Sequence, residues 1–181
     1  MNKIIQTLIL LLIFTLNTKS QNLDAPAQNY LSIAPCITNE PGSFGTKLSP
    51  TIEFGRQFQD IFTLGLALGK TNFASKNLAD DIYLELRPNL NVFQVGKFTN
   101  TISPGIGYVF GPTTSLLLEW TTGVEYALSN KTHINVFFGN YCYSNFSSDP
   151  NAPAHFSPVF WGFSVVRFFK PTGLKSIFTK H

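Results

Sequence analysis

The sequence is poor in charge. Lys, Arg, Asp and Glu make up only 13% of it, about half the ~25% typical of soluble domains. The formal net charge of +3 is modest and unclustered, so the electrostatic footprint of a nucleic-acid partner is missing. Cysteine and histidine are scarce as well. Cys36 and Cys142 are far apart, His133, His155 and His181 are scattered, and no Cys/His pair has metal-ligand spacing. No metal or cofactor is therefore expected. Beyond the first twenty residues no apolar run approaches the ~20 residues of a spanning helix, no helical period of useful length appears, and no low-complexity linker divides the chain.

The first twenty residues read as a secretory leader. Met1-Asn2-Lys3 supplies a small positive start, Ile4–Leu16 an apolar stretch, and Thr18 and Ser20 small residues before a cut near Ser20–Gln21. An uncleaved anchor is the alternative, but the apolar run is short for one. Cys36 lies too far downstream to be a lipoprotein cysteine. The expected organisation is a leader over 1–20, one β domain over 21–169, and a basic tail over 170–181 carrying Lys170, Lys175 and Lys180.

What is abundant is apolar and aromatic: 44% hydrophobic residues, 14% aromatic, and Phe used 18 times. These residues fall in period-two alternation, the mark of strands with two unlike faces. Eight such segments stand out: Tyr30–Thr38, Ser49–Phe58, Ile61–Lys70, Asp81–Val95, Phe98–Phe110, Ser115–Leu128, Thr132–Tyr143 and Pro158–Phe169. Their links alternate. Gln59-Asp60, Gly96-Lys97 and Ser129-Asn130-Lys131 are tight turns, whereas most of the intervening links, such as Asn39–Leu48, Thr71–Asp80 and Ser144–Ser157, are longer. Short turns at one end and longer loops at the other suit an outer-membrane barrel, with an even strand count and both termini on the turn side.

Phase sharpens the choice of solvent. One face of the fourth segment is Ile82, Leu84, Leu86, Leu90 and Val92; the other is Tyr83, Glu85, Arg87, Asn89 and Asn91. The third segment sets Phe62, Leu64, Leu66 and Leu68 against Thr63, Gly65, Ala67 and Gly69, and the fifth sets Phe98, Ile102, Ile106 and Tyr108 against Thr99, Thr101, Ser103, Gly105 and Gly107. Polar residues on the apolar face (Arg56, Gln94, Asn100 and Arg167 on the turn side, Lys70 and Asn140 on the loop side) all fall near strand ends. Lipid imposes that depth rule, because a charge costs about 2–4 kcal/mol at the midplane and little at the interface. Aromatics such as Phe58, Phe98, Tyr126, Tyr108 and Trp161 gather toward the same two ends, as interfacial girdles do. The expected fold is all-β: an eight-stranded antiparallel up-and-down transmembrane β-barrel.

The polar face then lines a narrow lumen. It holds Glu53, Glu85, Arg87, Glu119, Glu125 and His133, and eight strands leave room for side chains and not for a pore. Glu119 and Glu125 lie ~20 Å apart along one strand, too far for shared acid–base work. Glu119 and Arg87 sit on non-neighbouring strands that a narrow lumen can bring together. Four inward glutamates against one inward arginine call for a protonated glutamate or a further cation, and a bulge at Gly162 that turns Arg167 inward would supply one. The cluster is expected to be structural, with proton or ion handling as the alternative. Cys36 has inward phase and Cys142 outward phase, so no disulfide is expected.

In layout the chain resembles the small eight-stranded outer-membrane proteins of the OmpA/OmpX type, without a diagnostic motif. That resemblance implies a non-enzymatic protein of the outer membrane, monomeric, in contact with outer-membrane lipid and with the barrel-assembly machinery during biogenesis. A structural or surface-interaction role follows. Locally, Tyr141-Cys142-Tyr143-Ser144-Asn145 is similar to the His-x-Ser-Asn element of lipid A deacylase barrels, with Ser144 and Asn145 matching. Cys142 stands where that element has the histidine that activates the serine. A lipid-modifying enzyme centred on Ser144 is thus one alternative. A soluble exported barrel holding an apolar ligand against Leu116, Trp120 and Tyr126 is another.

Overall fold

The computed structural model describes residues 27–39, 46–71, 81–110, 114–145, 155–156 and 159–170. The leader expected over 1–20, and all of the tail after Lys170, lie outside them.

Alternation of apolar and small or polar residues produces β1 (Gln28–Asn39), β2 (Thr46–Phe58), β3 (Phe62–Thr71), β4 (Asp81–Val95), β5 (Phe98–Phe110), β6 (Ser115–Ser129), β7 (Thr132–Asn145), the short β8 (His155–Phe156) and β9 (Val159–Phe169). All neighbours pair antiparallel. The wall runs β1 to β7 in chain order and closes through β9, which pairs with both β7 and β1. Eight long strands thus form a closed barrel with no free edge, the one sheet form in which every wall strand has two partners. Two of the tight turns carry a residue at positive φ, Gln59 at 60° and Gly96 at 61°.

The faces sort as the phase analysis expects. Ser115, Leu117, Glu119 and Thr121 of β6 are buried while Leu116, Leu118 and Trp120 between them are exposed. A soluble ligand carrier would turn Leu116 and Trp120 inward; they face out. Along the wall, Leu66, Ile106, Trp120 and Phe163 each expose about half their surface, a belt that water solvates poorly and a bilayer well. Aromatic contacts mark its rims. Phe98–Tyr126 (4.8 Å) and Phe58–Phe62 (5.9 Å) lie on the turn side, and Tyr108–Phe110 (5.1 Å) and Trp120–Phe138 (6.5 Å) toward the loop side.

Three local expectations are corrected. Gly162 makes no bulge: it pairs in register with Cys36 and Phe137, β9 alternates without a break, and Arg167 stays on the outer face, where it donates to Thr132 Oγ1. Gln94 is not an exception on the apolar face. The register shifts between Asn91 and Phe93, so the extra residue Val92 flips the phase and sets Gln94 opposite inward Thr99. The stretch Ser144–Ser157 is not all loop, since β8 extends the sheet beside β7.

Prolines leave gaps in the ladder. Pro88 and Pro104 fall at facing positions of β4 and β5, and that ladder has no paired residues between Leu86–Ile106 and Leu90–Ile102. Neither proline has an N–H to offer. Ser103 Oγ donates instead to the Pro88 carbonyl at 2.7 Å. Likewise the β1–β9 ladder is interrupted between Ile33–Val165 and Cys36–Gly162, where Pro35 lies.

Candidate functional site: a layered lumen

The inner face is stacked in three layers. Nearest the loops, Tyr83, Val109, Leu117, Tyr141 and Phe160 form a cluster in which none exposes more than 2% of its surface. Tyr141 stacks on Phe160 with ring centroids 4.1 Å apart. The Tyr83 hydroxyl lies 2.7 Å from Thr51 Oγ1 and 3.2 Å from the Tyr141 hydroxyl. Inward glycines make room for these rings, since a Cβ at Gly69 would overlap Tyr83 and one at Gly139 would overlap Phe160.

Arg87 organises the middle layer. Its Nη1 donates to Glu53 Oε2 at 2.9 Å, and its Nη2 donates to Glu85 Oε2 at 3.0 Å and Glu119 Oε2 at 2.7 Å. The carboxylates come from β2, β4 and β6, so one guanidinium ties three strands across the lumen. Glu85 and Glu119 reach the same nitrogen because Gly105 of β5, between them, has no side chain; a Cβ there would overlap Glu85 Oε1. Tyr30 donates its hydroxyl to Glu53 Oε1 and lies over Gly55 and Gly65 in the same way. Three atoms of this layer, Glu85 Oε1, Glu119 Oε1 and the donor Arg87 Nε, are buried without a hydrogen-bond partner.

Toward the turns the lumen opens. Glu125 Oε1 lies 2.6 Å from His133 Nδ1, and these side chains are 15% and 19% exposed. The His133 ring packs on Phe168 at 4.7 Å. Of the six lumen residues expected from sequence, the structure therefore brings Glu53, Glu85, Arg87 and Glu119 into one cluster, and sets Glu125 and His133 apart as a second pair. No further inward cation joins them among the described residues. A cavity of about 80 Å³ runs between the layers, bounded by Tyr30, Glu53, Arg87, Glu119, Tyr141 and Phe160 among others.

Tyr30, Tyr83 and Tyr141 went unrecognised as partners of this network. Their signal was present in the inward glycines, whose vacant Cβ positions are the space that large neighbours occupy. Chemically, the cluster can balance charge and bind donors. Among the described residues no group of acidic, histidine or cysteine side chains could hold a metal ion. Both cysteines are free, Cys36 buried and Cys142 exposed. The backbone of Ser144 lies one residue before the end of β7, opposite Leu116 on one side and His155 of β8 on the other; the side chains of Ser144 and His155 lie outside the described residues.

No protein-family description matches the chain, and no curated protein matches it. Solved structures do. Neisserial surface protein A, NspA, superposes with a TM-score of 0.53 at 12% identity, covering 78% of this chain and 97% of its own. The N-terminal β-barrel domain of Pseudomonas aeruginosa OprF gives 0.52 at 11% identity, covering 80% and 100%. The outer membrane protein AlkL gives 0.50 at 10% identity, covering 86% and 95%. The chain has the fold of the small eight-stranded outer-membrane barrels.

Proposed function

We propose that this chain is a non-enzymatic outer-membrane barrel with a structural or surface-interaction role, its lumen plugged by its own side chains. The leader over 1–20 directs export, the turn side and the tail over 170–181 face the periplasm, and the folded protein is a monomer in outer-membrane lipid, delivered by the barrel-assembly machinery. The apolar outer belt supports the location, since a soluble protein rarely exposes so continuous an apolar surface. The observation that carries the plug is the fully buried layer of Tyr83, Leu117, Tyr141 and Phe160, which crosses the lumen on the loop side.

Two measurements test this. Membrane fractions run on a gel with and without boiling should show a heat-dependent shift, and recovery of the protein from the soluble periplasm would sink the location. In planar bilayers the folded protein should show no steady conductance, and open channels of constant size would sink the plug.

A second reading rests on register. Ser144 and His155 are partners across β7 and β8, which offers a histidine beside the serine whose own motif has Cys142 in the basic position. A lipid A acyl-ester hydrolase would then act at the loop-side rim. Replacing Ser144→Ala and comparing the cell's lipid A by mass spectrometry decides it; identical lipid with and without the protein ends this reading.

A further inference from the structure

Charge on the outer wall is one-sided. Among the described residues no outward strand position holds a carboxylate, whereas Arg56 of β2 and Arg167 of β9 are both exposed there, near the turns. Lys131 in the β6–β7 turn and Lys170 after β9 are exposed beside them, and the Lys131 carbonyl accepts from the Phe168 amide at 2.8 Å. Among the described turn residues Asp60 is the one carboxylate. None of the four cations forms an ion pair with a described residue.

Register sets the two arginines level. Each stands two residues before the end of its strand, at Phe58 and at Phe169. Asn29 of β1 pairs with Arg56 on one side and Phe169 on the other, and Leu31 pairs with Phe54 and Arg167. Arg56 and Arg167 therefore occupy opposite corners of a square over β1, ~12 Å apart at ordinary strand spacing. Phe54 and Phe169 take the other corners, and their rings meet at 6.1 Å. Strand tilt decides how this square sits in a bilayer. The row of paired residues that leaves Leu31, near the turn-side start of β1, arrives at Cys142, near the loop-side end of β7. Rows thus climb toward the loops as they pass from β9 through β1 to β2. That climb lifts Arg56 about as much as the extra step along β9 lifts Arg167, so both lie at one depth with the ring pair between them.

A guanidinium carries five N–H donors and meets phosphate oxygens in bidentate pairs. Arg167 gives one donor to Thr132 Oγ1, and Arg56 stands over the Phe58 ring at 5.6 Å. Farther from the turns the same strands expose Ile33 and Ile52 beside Leu31 and Phe54. A ligand that matches this sector is anionic at the level of the arginines and hydrocarbon beyond it. A soluble polyanion would use the first half alone.

Resting on the reading that this outer face meets lipid, we propose that the β9–β1–β2 sector binds an anionic glycerophospholipid of the turn-side leaflet. Its head group bridges Arg56 and Arg167, and its acyl chains lie along Ile33 and Ile52. Lys131 and Lys170 add attraction for the same negative surface.

The test uses the full-length protein in nanodiscs of phosphatidylcholine holding a minor fraction of phosphatidylglycerol. Lipid that stays on the barrel after mild detergent release is counted by mass spectrometry. Phosphatidylglycerol should be enriched on the parent at least about tenfold over its share of the disc, as two interfacial cations allow. Arg56→Gln/Arg167→Gln should lose that enrichment. Lys70→Gln/Lys97→Gln, which removes as much charge elsewhere on the barrel, should keep it. If the arginine double variant does not fold, Arg56→Gln and Arg167→Gln are read singly, and each should lower the enrichment severalfold. Equal loss in the lysine control overturns the proposal, because general surface charge would then suffice. Displacement of the lipid by inorganic phosphate overturns it too, in favour of a free anion. Entry into discs without enrichment overturns the proposal alone, whereas failure to enter discs of pure phosphatidylcholine overturns the membrane reading with it.

Discussion

Ser103 donates its hydroxyl to the carbonyl of Pro88 at 2.7 Å, at the place where two facing prolines remove ladder donors from the β4–β5 seam. Water cannot take over that carbonyl within a bilayer, so a side chain does. Replacing Ser103→Ala should cost about 1–3 kcal/mol, the range for a buried polar group left unmet. Urea unfolding in lipid vesicles checks it. A loss no larger than that of Thr99→Ala, an inward hydroxyl nearer the turn, would show that the carbonyl finds another donor.

Gly105→Ala should destabilise the barrel by about 1–3 kcal/mol, because its new methyl overlaps the Glu85 carboxylate in a packed interior. The effect should shrink when Glu85 is already alanine, since the pair then no longer collides. A double-mutant cycle on unfolding free energy reads the coupling; additive losses would mean that the clash is relieved elsewhere.

Leu66 sits mid-strand on the outer face of β3 and is half exposed. Leu66→Arg should cost about 2–4 kcal/mol in a bilayer. Phe58→Arg, at the turn-side end of β2, should cost about 1 kcal/mol or less by the same depth rule. Equal costs at the two depths would contradict the lipid assignment of this face.

Tyr141 and Phe160 stack across the loop-side layer. Removing both rings in Tyr141→Ala/Phe160→Ala should join the cavity to the loop side and give measurable conductance in planar bilayers, where the parent is silent. A double variant that folds by heat-modifiable migration yet stays silent would place the seal in another layer.

In the folded barrel, a maleimide should label Cys142 and leave Cys36 untouched, because Cys36 is 3% exposed and Cys142 is on the outer face. Mass after labelling counts the adducts, one before boiling and two after. Two adducts before boiling would mean that the lumen admits the reagent.

Much of this was legible in the alternation itself. Period two gives the strands, and the depth of Arg56 and Lys70 gives the solvent on each face, because both are local properties of sequence. The cluster around Arg87 was legible only as a list of inward residues. Which carboxylates meet depends on shear, and on Gly105 leaving a gap between β4 and β6, and neither can be read from one strand. Gln94 was misplaced because one inserted residue, Val92, reverses every later phase. Arg167 had the outward phase, and the inward option offered for it through a bulge at Gly162 arose because the last strand is apolar on both phases. β8 was missed because two residues carry no period.

The break in the β1–β9 ladder bears on how the chain finds its final form. That seam joins the first strand to the last, so it is the join that converts an open sheet into a cylinder. Its paired residues fall in two stretches, Asn29–Ile33 and Cys36–Asn39, with Pro35 between. Closure therefore has a natural pause: one stretch can zip while the other still gapes. Pulsed amide exchange during folding should resolve two closing times along β1, and a Pro35→Val variant should merge them. A single time in the parent protein would mean that the cylinder shuts in one step despite the gap.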